Sequence, residues 1–414
     1  MSQNFKRTKF ACFFSYISSA AAFTLPPLLF VTFREMYNIS YTLLGTLVLT
    51  NFCTQLTIDL IFSFFSKYFN IKKTICIMPL LTTLGLVVYA AVPTLFPQYA
   101  YLGLLIGTVI FSISAGLGEV LISPVVAALP SDNPEKDMSL LHSLYAWGVL
   151  MVVIVSTLFF RIFGTENWMY LTLFFAILPL FSAFLYFISP IPKMNTKQAQ
   201  SSDKTQKRGL GIILLVGCIF LGSAAENVMT NWISGYMENA LHVSKVFGDI
   251  FGMALFALLL GLGRTLYAKF GKNISNVLLA GMIGAAVCYL FAGLCANVFL
   301  AFIACVFTGF CTSMLWPGTL ILMEEKIPNP GVGAYALMAA GGDFGASIAP
   351  QLMGIIVDKV SASTWANSLS VTLSMSAEQI GMKAGMLTTA FFPIIGIILL
   401  ILIKKYFSAK KELR

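Results

Sequence analysis

The sequence predicts an all-α membrane protein of twelve transmembrane helices in two pseudo-symmetric six-helix halves. Three observations predict it. The 414-residue chain is 58% hydrophobic and only 10% charged, its apolar runs follow one another almost end to end, and short motifs recur between its halves. A bilayer core of about 30 Å takes about 20 apolar residues per spanning helix, and a soluble domain has no use for so many such runs.

In chain order, spans fall near residues 10–33, 41–65, 74–96, 100–128, 139–163 and 168–189, making a first half of residues 1–189. The stretch 190–209 (PIPKMNTKQAQSSDKTQKRG) is polar and basic and reads as a solvated linker. Six more spans fall near 210–236, 246–268, 277–295, 298–323, 332–357 and 384–403, within a second half of residues 210–414. Ala20, Ala21 and Ala22 resemble a signal-peptide cleavage site, but the apolar run continues to Phe33, so the first span is expected to be retained.

The net charge of +9 has to be located before it is interpreted. With the N-terminus inside, every Lys and Arg except Arg34, Arg161, Lys245, Lys359 and Lys383 lies on a cytoplasmic segment, as the positive-inside rule requires. Both termini and the linker are therefore expected to be cytoplasmic, in a plasma (inner) membrane. Topology accounts for the basic charge without a nucleic-acid partner. All eight cysteines sit inside apolar runs without CxxC spacing, so they read as small core residues, neither disulfides nor metal ligands.

Ser19–Phe23 (SAAAF) precedes Ser223–Asn227 (SAAEN) by 204 residues, and Gly116 and Pro124 match Gly309 and Pro317 at an offset of 193. Glu226 thus replaces Ala22, and Glu119 faces Thr312, which makes the acids asymmetric within a repeated scaffold. Polarity also has a period of three helices. Spans 3, 6, 9 and 12 contain no Asp, Glu, Asn, Gln, His, Lys or Arg and are expected to face lipid. The other spans carry polar or small rows at helical spacing, namely Asn51, Gln55 and Asp59; Ser112, Gly116, Glu119 and Ser123; Thr308, Thr312 and Trp316; and Asp343, Ser347 and Gln351.

The sharpest candidate is SAAENVMTNW, Ser223–Trp232, which sets Glu226, Asn227 and Asn231 in the seventh span. A charged residue at a helix centre costs roughly 2.5 to 3.5 kcal/mol on insertion scales, so an intramembrane acid calls for a functional reason. Glu119, Glu226 and Asp343 are the candidate proton-coupling residues. Asn51, Gln55, Asn227, Asn231, Trp232, Thr312, Trp316 and Gln351 are the candidate substrate contacts, since amides and indoles suit hydroxylated solutes. Structural readings stand beside these. Glu226 can serve as an interhelical hydrogen bond, Asp343 among Gly341, Gly342 and Gly345 as part of a close helix contact, and Trp232 and Trp316 as packing. Glu119 can be solvated near a helix end, Asp59 and Arg264 can snorkel or make gate contacts, and His142 can be a boundary residue.

Twelve spans, a basic central loop and a basic turn at Phe65–Lys73 (FSKYFNIKK), echoed at Arg264–Lys272 (RTLYAKFGK), resemble the major facilitator superfamily. The turn departs from the family's Gly-Asp-Arg-Gly pattern, with Ser63, Lys67, Tyr68 and Asn70 standing there. Gly263-Arg264, the Glu119 helix with Pro124, the Glu226–Trp232 helix, and Ala377-Glu378-Gln379 before Phe392-Pro393 resemble the fucose-permease type of sugar:proton symporters. That type has an acid in its first helix, where this chain has the hydroxyls of Tyr16, Ser19 and Thr24. The resemblance implies helices 1, 4, 7 and 10 around a central cavity and proton-coupled uptake of a small polar solute such as a sugar, by alternating access.

No GxSxG, HExxH or P-loop pattern occurs and the two histidines are far apart, so enzyme chemistry, a metal site and a cofactor are not expected. The expected partners are a small-molecule substrate, protons and the lipid bilayer, with the chain a monomer. Two other readings remain open at this level. A proton-driven efflux antiporter of amphipathic compounds suits the Phe- and Met-rich interior, and a non-transporting membrane receptor would need a larger extramembranous domain than the loops supply.

Overall fold

The computed structural model describes residues 5–65, 68–131, 134–192, 206–327 and 331–412, and among these there is no strand. Most of the predicted linker and the His142 side chain lie outside the described residues. The helices are α1 (Lys6–Leu28), α2 (Phe30–Tyr37), α3 (Tyr41–Phe65), α4 (Ile71–Leu95), α5 (Ala100–Ala127), α6 (Pro134–Phe163), α7 (Trp168–Phe187) and α8 (Gln206–Asn239). They continue with α9 (Lys245–Phe247), a π-helical turn at Gly248–Ala254, α10 (Leu255–Phe270), α11 (Ile274–Leu294), α12 (Val298–Thr312) and α13 (Leu315–Lys326). The last four are α14 (Gly331–Ser361), α15 (Thr364–Leu373), α16 (Ala377–Thr389) and α17 (Phe391–Glu412).

Ten described helical stretches are long and apolar enough to cross a membrane, and α6 and α14 stand where the fifth and eleventh spans are predicted. An all-helical solution follows from the solvent: hydrocarbon satisfies no backbone N–H or C=O, so each crossing segment closes its own hydrogen bonds. Three predicted spans are broken beside proline, and in the second half the missing N–H leaves a carbonyl open at the break itself. Pro26 and Pro27 precede the break between α1 and α2, Pro317 follows that between α12 and α13, and Pro393 follows that between α16 and α17.

The stretch 358–383, between the last two predicted spans, is largely helical. Ser363 caps α15, and Ser376 with Gln379 forms a complete capping box at the start of α16. Ser376→Ala is expected to cost about 1 kcal/mol, measurable as a small fall in the detergent-solubilised unfolding midpoint.

By its contacts the chain forms two units, Met1–Ile39 with Thr50–Lys197, and Ser40–Leu49 with Gln198–Arg414. The first unit packs around Cys12, Leu121, Leu141 and Tyr186, and the second around Cys218, Leu278, Met282 and Leu315. The sequence repeat has a physical counterpart inside each unit. A Cβ on Gly116 would fall 3.0 Å from the Gln55 carbonyl oxygen of α3, and one on Gly309 would fall 2.3 Å from the Phe256 carbonyl oxygen of α10. Each glycine lets the fourth helix of its half rest on the backbone of the second. On α4, α7, α11 and α17, exposed apolar residues recur at helical spacing, such as Phe174, Ile177, Phe181 and Phe184 on α7, in keeping with the lipid-facing role expected of those helices.

Candidate transport site

In the second unit the polar stripe of α8 is joined to α10 by one ion pair. Glu226 Oε1 accepts a hydrogen bond from Arg264 Nη2 at 3.2 Å. Its other oxygen, Oε2, is buried without a hydrogen-bond partner among the described residues. The Arg264 side chain is 44% exposed, while that of Glu226 is 16% exposed.

Arg264 is placed by backbone chemistry on a third helix. Pro317 has no N–H, so the Ser313 carbonyl four residues earlier has no helical donor. Arg264 Nε supplies one at 3.0 Å. The approach is possible because a Cβ on Gly263 would lie 2.2 Å from Ser313 Oγ, leaving room only for glycine. The Arg264 guanidinium thus turns toward α8 and the break after α12. These bonds engage two of the five guanidinium N–H groups. The pair thus sets an unbonded carboxylate oxygen beside unused donors.

The other predicted contacts of this unit divide into two groups. Asn227 is half-buried and donates from Nδ2 to the Ser223 carbonyl at 3.0 Å, and Asn231 Nδ2 donates to the Asn227 carbonyl at 2.8 Å. Trp316 is half-buried, its Nε1 lying where a Cβ on Gly342 would fall within 2.5 Å. Gln351 is half-buried with Oε1 unbonded. Asn227, Trp316 and Gln351 are thus partly exposed on α8, α13 and α14, while Asn231 is buried.

Trp232 and Thr312 are not available, and here the structure corrects the sequence expectation. Trp232 is 0% exposed, its Nε1 donating to the Pro350 carbonyl at 3.2 Å and its ring 5.5 Å from that of Tyr41. Thr312 is fully buried and donates to the Thr308 carbonyl at 3.0 Å. Both polar groups are engaged in packing. Asp343 is half-buried on α14, which rests on α8 through Gly341 and Gly345.

The first unit holds a separate polar set. Asn51 Oδ1 accepts from Gln55 Nε2 at 3.1 Å and lies 2.6 Å from Ser112 Oγ, joining α3 to α5. Gln55 is buried and Asn51 half-buried. Glu119 is exposed and hydrogen-bonded to Asp59, their carboxylate oxygens within 4.8 Å. Asp59 therefore partners the predicted acid.

Sequence reasoning named Arg264 for snorkelling or gate contacts and within the Gly263-Arg264 motif, but not as the partner of Glu226, although an arginine in one apolar span with a lone acid in another signals pairing. It did not single out Asp249. Asp249, fully buried in the π-helical turn, accepts from Ser234 Oγ at 2.5 Å and pairs with Lys245 at 3.5 Å.

A repeated helical scaffold with polar groups inside its spans is the architecture that alternating access requires. The model of the Major Facilitator Superfamily matches residues 11–350, and the chain belongs to that superfamily. No curated protein matches the sequence. Solved structures similar to the chain include a bacterial homologue of the human lysosomal transporter Spinster in an inward-facing and occupied conformation, at TM-score 0.75 and 14% identity over 98% of each chain. A D-xylose-proton symporter is similar at TM-score 0.74 and 17% identity, covering 94% of this chain and 96% of its own. The E. coli fucose:proton symporter is similar at TM-score 0.60 and 13% identity, covering 97% and 99%. These identities establish a shared fold.

Proposed function

We propose that the chain is a proton-coupled symporter that takes up a small polar solute, a sugar or a related compound, by alternating access. In this reading both termini are on the cytoplasmic side of the plasma membrane. The observation that carries the reading is the Glu226–Arg264 pair: a carboxylate with one oxygen unbonded, within a span, beside a partly exposed cation. Such a carboxylate can take a proton on one side of the membrane and release it on the other. Asn227, Asn231, Trp316 and Gln351 contribute hydrogen bonds and an apolar ring face to the solute. Glu119 with Asp59, and Asp343, are further proton-accepting candidates, and Asn51 and Gln55 are further candidate solute contacts. The xylose and fucose symporters of the same fold support a sugar-like cargo.

The test is proton flux in proteoliposomes containing a pH dye, challenged in turn with sugars, sugar acids, polyols and cationic amphiphiles. Solute-dependent acidification of the lumen is expected for a sugar or sugar acid. Protons leaving as amphiphiles enter would overturn the symport reading in favour of efflux. Trp316→Ala is expected to weaken solute affinity about tenfold, the loss of one aromatic stacking surface, without changing the number of protons per solute. Wild-type affinity in a binding assay would assign Trp316 to packing against Gly342.

A further inference from the structure

The Arg264 guanidinium is held for a task that an interhelical ion pair does not require. Its Nε is fixed on the Ser313 carbonyl that Pro317 leaves without a donor, and its Nη2 meets only one oxygen of Glu226. A guanidinium anchored through Nε presents its Nη1–Nη2 edge, the edge that binds a carboxylate through two parallel hydrogen bonds. Glu226 uses that edge through a single bond, and its Oε2 is left buried and unbonded. A structural pair within a span would be expected to close both oxygens, because an unsatisfied buried polar atom is destabilising.

We propose, resting on the symport reading above, that Glu226 is the resident anion on Arg264 and that the transported solute brings a carboxylate that replaces it. The solute is then a hydroxylated monocarboxylate, of the chemical class of sugar acids. A proton from solution binds Glu226 as its carboxylate leaves the guanidinium. The solute carboxylate takes the Nη edge, and after the site opens to the other side both leave and the Glu226–Arg264 bond re-forms. One negative charge and one proton cross together, so each cycle moves no net charge.

Other charged or titratable groups lie on or around α8, where Glu238 pairs with Lys245 at 3.9 Å. Tyr289 of α11 donates to the Ala225 carbonyl at 2.6 Å. Asp249 of the π-helical turn pairs with Lys245 of α9 and accepts from Ser234. Lys383 of α16 donates to the Cys295 carbonyl at 2.8 Å. Cys305 is buried on α12, and Asp343 is on α14. Arg264 is the one cation that bonds to Glu226 among the described residues.

The experiment uses the full chain in proteoliposomes with radiolabelled gluconate, glucuronate and galacturonate, and with glucose and galactose as neutral counterparts. Uptake of at least one acid is expected to be driven by an inside-alkaline pH gradient. It is also expected to be indifferent to a 100 mV inside-negative potential, which would concentrate a neutral solute entering with one proton about fiftyfold. Arg264→Gln, whose amide still reaches toward the Ser313 carbonyl, is expected to lower affinity for that acid about tenfold or more, with the unfolding midpoint little changed.

Uptake of neutral sugars alone, accelerated by the potential, would overturn the carboxylate assignment and leave the symport reading standing. So would unaltered acid affinity in Arg264→Gln. Silence from all three acids, in protein that moves protons with another solute, would also overturn the assignment. Protons exchanging outward against amphiphiles would remove the symport reading and this proposal together.

Discussion

Glu226→Gln is expected to keep the fold and solute exchange but lose accumulation driven by a pH gradient. The amide keeps the side-chain shape and an oxygen that can accept from Arg264 Nη2, now held at 3.2 Å, and it carries no ionisable proton. Solute-for-solute counterflow requires only that the loaded site change its exposure, so it persists. Net uphill uptake requires a group that binds a proton on one side and releases it on the other. One pH unit is worth about 1.4 kcal/mol, and coupling of one proton therefore sustains up to about tenfold accumulation at zero potential. The wild-type protein should approach that ratio and the variant should stop at equal concentrations. Filtration uptake of a labelled solute into proteoliposomes, with counterflow measured on the same preparation, separates the two properties. Unchanged uphill uptake in the variant would remove Glu226 from the coupling step and direct attention to the Glu119–Asp59 pair.

The second large effect is expected on stability. In Gly345→Val the new Cβ would fall 2.2 Å from the Phe220 carbonyl oxygen and 3.2 Å from the Ala224 amide nitrogen. Neither backbone atom belongs to a flexible side chain, so α14 has to move away from α8. That movement also loosens Gly341 from Val216. It disturbs the helix that carries Asp343 and Gln351 as well. Overpacking of this kind costs about 1 to 3 kcal/mol, and occasionally more, and here the opposing atoms are backbone of α8. Gly261→Ala is the control, because its Cβ would meet nothing within 4 Å and removing a helical glycine is neutral or stabilising by up to about 1 kcal/mol. A thiol-reactive dye reports unfolding as buried cysteines such as Cys218 and Cys305 become exposed. Gly345→Val should unfold well below wild type and Gly261→Ala at or above it. Equal midpoints for all three would mean that the α8–α14 contact is not a source of stability.

The helices were legible in the sequence because the bilayer leaves a chain so few choices. Long apolar runs such as 168–189 can satisfy their backbone only as helices, so composition and run length located the spans, and Gly116 and Gly309 marked both halves of the repeat. Glu226 was legible for a related reason: a carboxylate in an apolar run is costly enough to stand out without any knowledge of its neighbours. The partner was not legible. Arg264 lies 38 residues further along the chain, and only the approach of α10 to α12 at Gly263, together with the carbonyl that Pro317 leaves open, brings its guanidinium to Glu226.

The same limit explains Trp232, Thr312 and the Asp59–Glu119 pair. Helical spacing states which residues share a face but not what that face meets. Trp232 follows Asn231 in sequence, yet its indole is closed off by Pro350 and Tyr41, and Thr312 is turned back onto its own helix. The sequence alone determined the solvent, the element type and which residues are expensive to bury, since these depend on each residue's own transfer energy. Tertiary structure alone decided which of those residues are paired, open or closed off, because that depends on distances between helices, which no single helix's periodicity contains.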